Sequence, residues 1–188
     1  YMSFVTQQEQ RPYVLRLQQH LAYAAPQVRF EVHGVSPPDR YLSPLTEFRC
    51  AAQAIRSGIQ AQQEGHDAFV IGHFQEPGLT ECRSALDIPV IGLGEASMLY
   101  ACMLGRTFGL VTINPVFLPW HRDQINRLGL GQRAVGVRAI DTQVATYMQA
   151  FQDEGAYQQV KADFGRAWLS NRKVSYFPES PSIGNYFA

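Results

Sequence analysis

Net charge is the first thing this sequence lacks, because its 188 residues include 16 basic and 16 acidic side chains. A balanced surface has no excess positive field, so we expect neither nucleic acid nor an anionic membrane as a partner. Lysine is also scarce, since all the basic residues except Lys161 and Lys173 are arginines. No run of basic residues supplies a local phosphate-binding patch.

Long apolar runs and paired cysteines are missing as well. No hydrophobic stretch reaches the length that spans a bilayer, and residues 1–10 contain no basic segment followed by an apolar one. Cys50, Cys82 and Cys102 are odd in number and form no CxxC or CxxH motif, which favours reduced thiols. These absences predict a soluble, cytoplasmic protein.

What the chain does contain is short apolar runs that alternate with amphipathic stretches. Continuous apolar runs are typical of strands buried on both faces, and amphipathic stretches are typical of helices that cover a sheet. The alternation predicts an α/β fold with a parallel sheet flanked by helices. The pattern predicts helices over residues 11–24, 44–64, 77–86, 95–104, 120–128, 142–151 and 157–164, and strands over residues 2–5, 28–32, 68–71, 89–93, 108–112 and 135–140.

Several helix ends carry recognisable signals. Ser43, which precedes a proline, is a favourable N-cap for the second helix, and Gly65 is placed to end it. Asp141 and Thr142 are predicted caps of a later helix, and Gly155 is predicted to end or bend it. The apolar face of the second helix repeats at intervals of three and four residues and comprises Leu45, Phe48, Ala52, Ile55 and Ile59.

Polar side chains stand at the ends of the third, fourth and fifth predicted strands. His73 follows the third strand, Glu95 and Ser97 follow the fourth, and Thr112 ends the fifth. The carboxyl ends of parallel strands meet at one rim of the sheet, where the following helices point unpaired N–H groups. We therefore expect a small-molecule site at this rim, suited to an anionic group such as a carboxylate.

Each of these residues also has a purely structural interpretation. His73 could cap the strand end, or it could transfer a proton near physiological pH, and the pattern does not decide between the two. Glu95 opens a helix, so a favourable interaction with the helix dipole is its preferred role. Ser97 could be a helix-start hydroxyl, and Thr112 a β-branched strand residue whose hydroxyl also suits a substrate oxygen.

The sequence motifs give little support for a nucleotide site or a metal site. The segment GLGEAS, residues 92–97, matches only the first half of the dinucleotide motif GxGxxG. The remaining histidines, at positions 20, 33, 66 and 121, show no metal-binding spacing with Cys, Asp or Glu. All three cysteines fall on predicted helices, which favours buried structural thiols.

The motifs DAFVIGHFQEPGL, IPVIGLGEAS and FGLVT, with Arg83 between the first two, together resemble a known family. Their order closely resembles the central half of the aspartate/glutamate/hydantoin racemase superfamily, with the hydantoin racemase branch nearest. The resemblance is strong from Asp67 to Thr112 and looser on both sides. It implies a single unit of two pseudo-symmetric α/β lobes around a cleft: residues 1–105, with the C-terminal tail packing back, and residues 106–165.

The resemblance also implies a reaction in which an acidic proton next to a carbonyl is removed and returned without a cofactor. The family uses two cysteines, one from each lobe, and the first would lie directly before Phe74, where this chain has His73. Imidazole can accept or donate a proton, whereas a thiol/thiol mechanism is excluded. The second cysteine follows a strand beyond the helix near Thr142, and no Gly-Cys strand end occurs there. About one strand-helix-strand unit is therefore missing: either the natural protein is shorter, or a stretch has been left out of this sequence, and we favour the second explanation.

The resemblance thus implies a cofactor-independent isomerase or racemase for a small hydantoin-like or carboxylate substrate. A decarboxylating lyase and a catalytically inactive, ligand-binding relative are the alternatives. The resemblance further implies a homo-oligomer, and we expect no metal. The catalytic residue would be His73, and the substrate-binding residues would be Phe74, Gln75, Glu95, Ser97, Thr112 and Ile113.

Overall fold

The computed structural model describes residues 2–3, 11–35, 43–140, 142–150 and 153–170. Helices and short parallel strands alternate along this part of the chain. The helices are α1 (Arg11–Ala24), α2 (Pro44–Gln63), α3 (Leu79–Ala85), α4 (Leu93–Leu104), α5 (Leu118–Arg127), α6 (Val144–Gln149) and α7 (Glu154–Ser170), with a 3-10 turn at Pro115–Phe117. The strands are β1 (Met2–Ser3), β2 (His33–Gly34), β3 (Phe69–Ile71), β4 (Val90–Gly92), β5 (Phe108–Thr112) and β6 (Ala134–Ala139).

The strands form two parallel sheets. One has the order β2-β1-β3-β4, and the other pairs β5 with β6. Ile71 at the end of β3 is in register with Gly92 at the end of β4, so the loops after these strands start side by side. The α/β class with parallel strands is therefore confirmed, and it places the predicted rim at the ends of β3, β4 and β5.

The second strand differs from its prediction. Alternating apolar residues predicted a strand over residues 28–32, whereas β2 begins at His33. Val32 is buried against α1, but Val28 is 44% exposed and follows directly on the turn after that helix. The alternation reflects packing of Val32 on α1 and not a ladder of backbone hydrogen bonds.

Both predicted ends of α2 are confirmed. The Ser43 hydroxyl accepts the N–H of Thr46, and the Thr46 hydroxyl accepts the N–H of Ser43, which together form a capping box. Gly65 has a φ of +82°, the left-handed conformation that commonly terminates a helix.

The buried face of α2 is a different one from the predicted face. Leu45 and Phe48 are 78% and 76% exposed. The buried residues of the helix are Glu47, Cys50, Ala54 and Gly58. A side chain at Gly58 would collide with Leu86 of the loop after α3 and touch Phe69 of β3. The helix lies so close to the sheet that only small side chains fit at the contact, and the larger apolar residues are left facing outward.

Two main cores hold these layers together. The first packs α2 and α3 on β3 and β4, and includes Cys50 and Cys82. The second packs α4 and α5 on β5 and β6, with Cys102 half-buried against it. Burial raises the pKa of the Cys82 thiol to about 11, which keeps it protonated at neutral pH. Cys50 and Cys82 are therefore the buried structural thiols that the sequence predicts.

The caps predicted for α6 are only partly within the described residues. Asp141 lies outside them, and the structure places Gln143, and not Thr142, at the N-cap. The Thr142 hydroxyl instead donates to the buried carboxylate of Asp163 on α7. Gly155 lies in the first turn of α7 and α6 ends at Gln149, so the prediction that Gly155 ends or bends this helix is wrong.

The predicted two-lobe division at residues 105 and 106 stays a prediction. The packing of the C-terminal tail falls on residues 171–188, which lie outside the described part of the chain. Within the described residues, no helix combines the length and hydropathy needed to cross a membrane.

Candidate functional site

A cavity of about 420 Å³ opens where the ends of β3 and β5 meet the start of α4 and the side of α5. Six of the seven residues predicted for the site line this cavity: His73, Phe74, Gln75, Ser97, Thr112 and Ile113. The rest of the cavity wall consists mostly of apolar groups of α4, β5 and the 3-10 turn, together with His121 of α5 and Tyr147. The structure thus brings the rim residues together around one space, while their individual roles stay predictions.

Glu95 is the predicted site residue that does not line the cavity. Its carboxylate accepts two hydrogen bonds from the Arg83 guanidinium, at 2.7 and 3.0 Å. These bonds hold the pKa of Glu95 below its ordinary value. The side chain lies in the first turn of α4 and is bound in this ion pair. Its role is therefore the structural one predicted from the sequence, a favourable interaction with the helix dipole.

The two hydroxyls of the rim differ in availability. The Ser97 hydroxyl donates to the carbonyl oxygen of Leu93 within α4, at 2.6 Å. Thr112 is buried at the end of β5, and its Oγ1 accepts the N–H of Asn114 at 3.4 Å. A hydroxyl that accepts one bond keeps its own proton for another partner, so Thr112 is the better placed donor to a ligand oxygen.

His73 sits in a nearly dry environment. It is only 8% exposed, and its Nδ1 lies 3.3 Å from Oε2 of Glu47 in the first turn of α2. Burial, and secondarily the nearby His121, lower the pKa of His73 to about 4. The imidazole is therefore neutral at pH 7 and able to accept a proton. The contact with Glu47 lies at the Nδ1 edge of the ring.

Glu47 is a residue that reading the sequence missed. An acidic side chain in the first turn of a helix is normally explained by the helix dipole and left in water. Here it is 1% exposed and points to the site. The available signal was its spacing from Cys50, Ala54 and Gly58, which share one helical face of small residues.

A buried polar network ties the loop after β3 to α4 and α5. The carboxylate of Glu76 accepts the backbone N–H of Glu95 at the start of α4 and, through Oε2, the side-chain amide of Gln124 at 3.1 Å. The same amide donates to the carbonyl oxygen of Phe74 at 2.7 Å. Burial raises the pKa of Glu76, while these hydrogen bonds act against that shift. The loop that carries His73 is thereby fixed from two sides.

The network also explains the glycines of GLGEAS. A side chain at Gly94 would overlap the carbonyl oxygen of Phe74, and one at Gly92 would overlap the carboxylate of Glu76. Glu76 itself has a φ of +57°, an uncommon conformation for a residue other than glycine. Close packing of α4 on the loop after β3 accounts for both glycines.

His121 is the second site residue that the sequence did not reveal. It lies on α5, is 2% exposed, and its Nδ1 is 2.8 Å from Oε1 of Gln124. Burial lowers its pKa, so it too is neutral at pH 7. Sequence reasoning considered it only for metal-binding spacing, although His121 and Gln124 lie three residues apart on one helical face. Among the described residues, no group of three or more His, Cys, Asp or Glu side chains is arranged to hold a metal ion.

The buried histidines predict a dependence of stability on acid. His73 has a folded pKa of about 4 against an ordinary value of 6.5, so the unfolded chain takes up its proton first as the pH falls. The stability that the folded protein gains from a neutral His73 is intact above pH 6.5 and is lost as the pH falls towards 4. We expect the free energy of unfolding to fall by about 2–3 kcal/mol between pH 7 and pH 4.5 through His73 alone.

Urea denaturation of the wild type and of His73→Asn at the two pH values measures this loss. Between pH 7 and pH 4.5, the variant is expected to lose about 2–3 kcal/mol less free energy of unfolding than the wild type. The control is His20→Asn, since His20 is exposed on α1. An equal loss in the wild type and in His73→Asn contradicts the assignment of a buried, neutral His73.

The sequence profile of the family described as Asp/Glu/Hydantoin racemase matches residues 13–169 of this chain. A hydantoin racemase from Pseudomonas sp. (strain NS671) is 31% identical over 123 residues, which are 64% of this chain and 49% of that protein. A hydantoin racemase from Rhizobium meliloti is 35% identical over 85 residues, which are 45% of this chain and 35% of that protein. The chain therefore spans about half or less of the length of these relatives.

Solved structures give the same picture of the fold. An allantoin racemase from Klebsiella pneumoniae superposes with a TM-score of 0.68 at 25% identity, covering 84% of this chain and 66% of that one. An allantoin racemase from Pseudomonas fluorescens superposes with a TM-score of 0.63 at 22% identity, covering 85% and 68%. The second likeness concerns the fold alone. The family resemblance read from Asp67 to Thr112 is confirmed, while the replacement of its first cysteine by His73 stays a prediction.

Proposed function

The chain belongs to the Asp/Glu/hydantoin racemase family, and on that premise we propose that it is a cofactor-independent racemase or isomerase. The reaction removes a proton from a carbon next to a carbonyl and returns it. The substrate is a small molecule with a hydantoin-like ring. The observation that carries the proposal is the position of His73, a buried neutral imidazole on the wall of the cavity at the end of β3.

The substrate class follows from chemistry that the relatives' names share. Allantoin is itself a substituted hydantoin, so the hydantoin and allantoin racemases named above act on one ring type. In that ring the C5 hydrogen lies next to a carbonyl carbon and a nitrogen, which makes it the exchangeable position. A cavity of about 420 Å³ with mostly apolar walls and a few polar groups is in the size range of small-ligand sites.

The chemical demand of this reaction is a base at the carbon and donors at the carbonyl oxygen. His73 is neutral and takes the proton, and the electron pair moves onto the carbonyl oxygen as an enolate. Thr112 has a hydroxyl proton to offer that oxygen, and Gln75 lines the same cavity. Low exposure of the site strengthens each of these interactions.

Glu47 is assigned the role of a positioning residue. Its oxygen lies against Nδ1 of His73, which orients the ring without touching the substrate. This arrangement would let an imidazole act where the family resemblance implies a thiol, because a buried carboxylate oxygen lies against one edge of the ring.

Solvent exchange tests the proposal. Enantiopure 5-substituted hydantoins, amino acids and α-substituted carboxylic acids are incubated with the protein in heavy water, and loss of the α-hydrogen signal and of optical rotation is followed. We expect both losses for at least one hydantoin at a rate above that of buffer alone. No exchange in the panel contradicts the proposal, and release of carbon dioxide from substituted malonates would identify a lyase instead.

A further inference from the structure

We propose that His121 is the second proton-transfer residue of the same cavity, acting through its Nε2 atom. The inference rests on the proposed function and adds to it the group that works with His73. The two imidazoles come from different parts of the fold: His73 follows β3 of the four-stranded sheet, and His121 lies on α5, which packs on the two-stranded sheet. Both line the cavity.

The hydrogen-bond network fixes which nitrogen of His121 carries the proton. The side-chain amide of Gln124 donates to two acceptors, the Phe74 carbonyl oxygen and Oε2 of Glu76. Its Oε1 is therefore the acceptor, and its partner among the described residues is Nδ1 of His121 at 2.8 Å. The neutral ring consequently holds its proton on Nδ1 and keeps a lone pair on Nε2.

Nε2 is the atom left for a ligand. Within the described residues it has no hydrogen-bond partner, although the residue is 2% exposed and lines the cavity. The rings of Phe74 and Phe117 flank the imidazole, with centroids 5.5 and 6.4 Å from it. They restrict its rotation, so the lone pair has a defined direction.

A histidine that only fills the core is the competing interpretation. Such a residue satisfies both nitrogens within the protein, because a buried polar atom without a partner is costly. Here the buried carboxylate of Glu76 orients the side-chain amide of Gln124, and that amide orients Nδ1 of His121. The Nε2 atom of the same ring is left for the cavity that His121 lines. Orientation of a working nitrogen explains this arrangement, and core filling does not.

The proposed step runs with one added proton on the pair. Because the resting ring of His121 is neutral, its Nε2 first takes this proton from water, and this form is the minor one at pH 7. In one direction neutral His73 accepts the α-proton as the C–H bond breaks, and the electron pair moves onto the carbonyl oxygen. Protonated His121 then gives its Nε2 proton to the carbon, the C–H bond forms, and the carbonyl is restored. His73 ends protonated and His121 neutral, so the reverse reaction starts from that state and no other reactant is consumed.

The substitution His121→Asn separates the two interpretations. The asparagine amide lies near the original Nδ1 and can still donate to Gln124, while the Nε2 group is lost. We expect racemisation of an enantiopure 5-substituted hydantoin to fall by about 10²- to 10⁴-fold. Exchange of the C5 hydrogen with heavy water is expected to persist for the enantiomer that His73 deprotonates, because removal and return on one face need only that residue.

Several outcomes decide the matter. Undiminished racemisation in both directions by His121→Asn overturns the inference and leaves the proposed function standing. Absence of any exchange by the wild type instead removes the proposed function. The matched control is His20→Asn, a histidine on the exposed face of α1, which is expected to behave like the wild type. Equal urea midpoints for the two variants exclude a folding defect as the cause.

A second measurement needs no substitution. Nitrogen-15 NMR of the histidine-labelled wild-type chain reports the tautomer of each imidazole. We expect an unprotonated Nε2 for His121, and a shift of that signal when 5,5-dimethylhydantoin, which has no C5 hydrogen to exchange, is added. A protonated Nε2 in the ligand-free protein at pH 7 overturns the inference.

Discussion

Replacing His73 by asparagine is expected to lower the rate of α-proton exchange by about two to four orders of magnitude. Asparagine is preferred to alanine because its amide can still face Oε2 of Glu47, which is buried and lies 3.3 Å from the imidazole. The variant therefore removes the proton-accepting nitrogen without opening a cavity beside a buried carboxyl group. The readout is the rate of hydrogen loss from an enantiopure hydantoin in heavy water, measured beside the urea midpoint.

The cysteine variant gives this experiment a second arm. His73→Cys restores the residue type that the family resemblance implies at this position, directly before Phe74. We expect it to exchange protons faster than the asparagine variant, since a thiol can still accept and donate. Full activity in His73→Asn contradicts the role of the imidazole, whereas His20→Asn tests for effects of losing any histidine.

The substitution Gly94→Ala is expected to disrupt both stability and the site. The added methyl group would overlap the carbonyl oxygen of Phe74 and press on the amide of Gln124. Backbone atoms cannot move aside as a flexible side chain can, so we expect a loss of about 1–3 kcal/mol in the free energy of unfolding. Exchange activity is expected to fall further than the stability loss requires, because Phe74 and Gln124 position His73 and His121.

A glycine in open surroundings is the matched control. Gly165 lies within α7, and a side chain there would meet no atom within 4 Å. Gly165→Ala is expected to stabilise the protein by roughly 0.5–1 kcal/mol, since alanine favours the helix. The same stability in Gly94→Ala as in the wild type contradicts the close approach of α4 to the loop after β3.

The position of the site could be predicted from the sequence because the residues that indicate it lie close together along the chain. Apolar runs that end in polar residues mark buried strands, and parallel strands deliver their ends to one rim, so His73 and Thr112 could be placed together without a structure. The boundaries of α1, α2 and β5 were predictable for the same reason: caps, prolines and continuous apolar runs act within a few residues.

The rest of the site depends on which faces meet in three dimensions. A face of small residues is the one local sign that α2 turns Glu47 inward and Phe48 outward, and the short distance between this helix and the sheet decides it. Glu95 stood at the predicted rim, but its partner Arg83 comes from a neighbouring helix and draws the carboxylate away. His121 became visible only through its bond to Gln124, which is itself oriented by residues nearly fifty positions away.

The buried imidazole changes how this family's reaction would depend on pH. A thiol must lose its proton to act as a base, whereas a histidine whose pKa lies near 4 is already in the accepting form at pH 7. In the proposed reaction, the base at this position is therefore ready without a prior ionisation. The proton for the return step then has to come from a second group, and we propose that His121 delivers it after its Nε2 has taken a proton from water.

The most direct test of the account follows one hydrogen atom. An enantiopure 5-substituted hydantoin is incubated in heavy water at pH 7 with the wild type, with His73→Asn, or with buffer alone, and its C5 hydrogen signal is followed by proton NMR. The account predicts loss of the signal with the wild type well above the buffer rate, and a rate close to that of buffer with the variant. Equal rates for the wild type and the variant, or a wild-type rate no higher than that of buffer for every hydantoin tried, would contradict it.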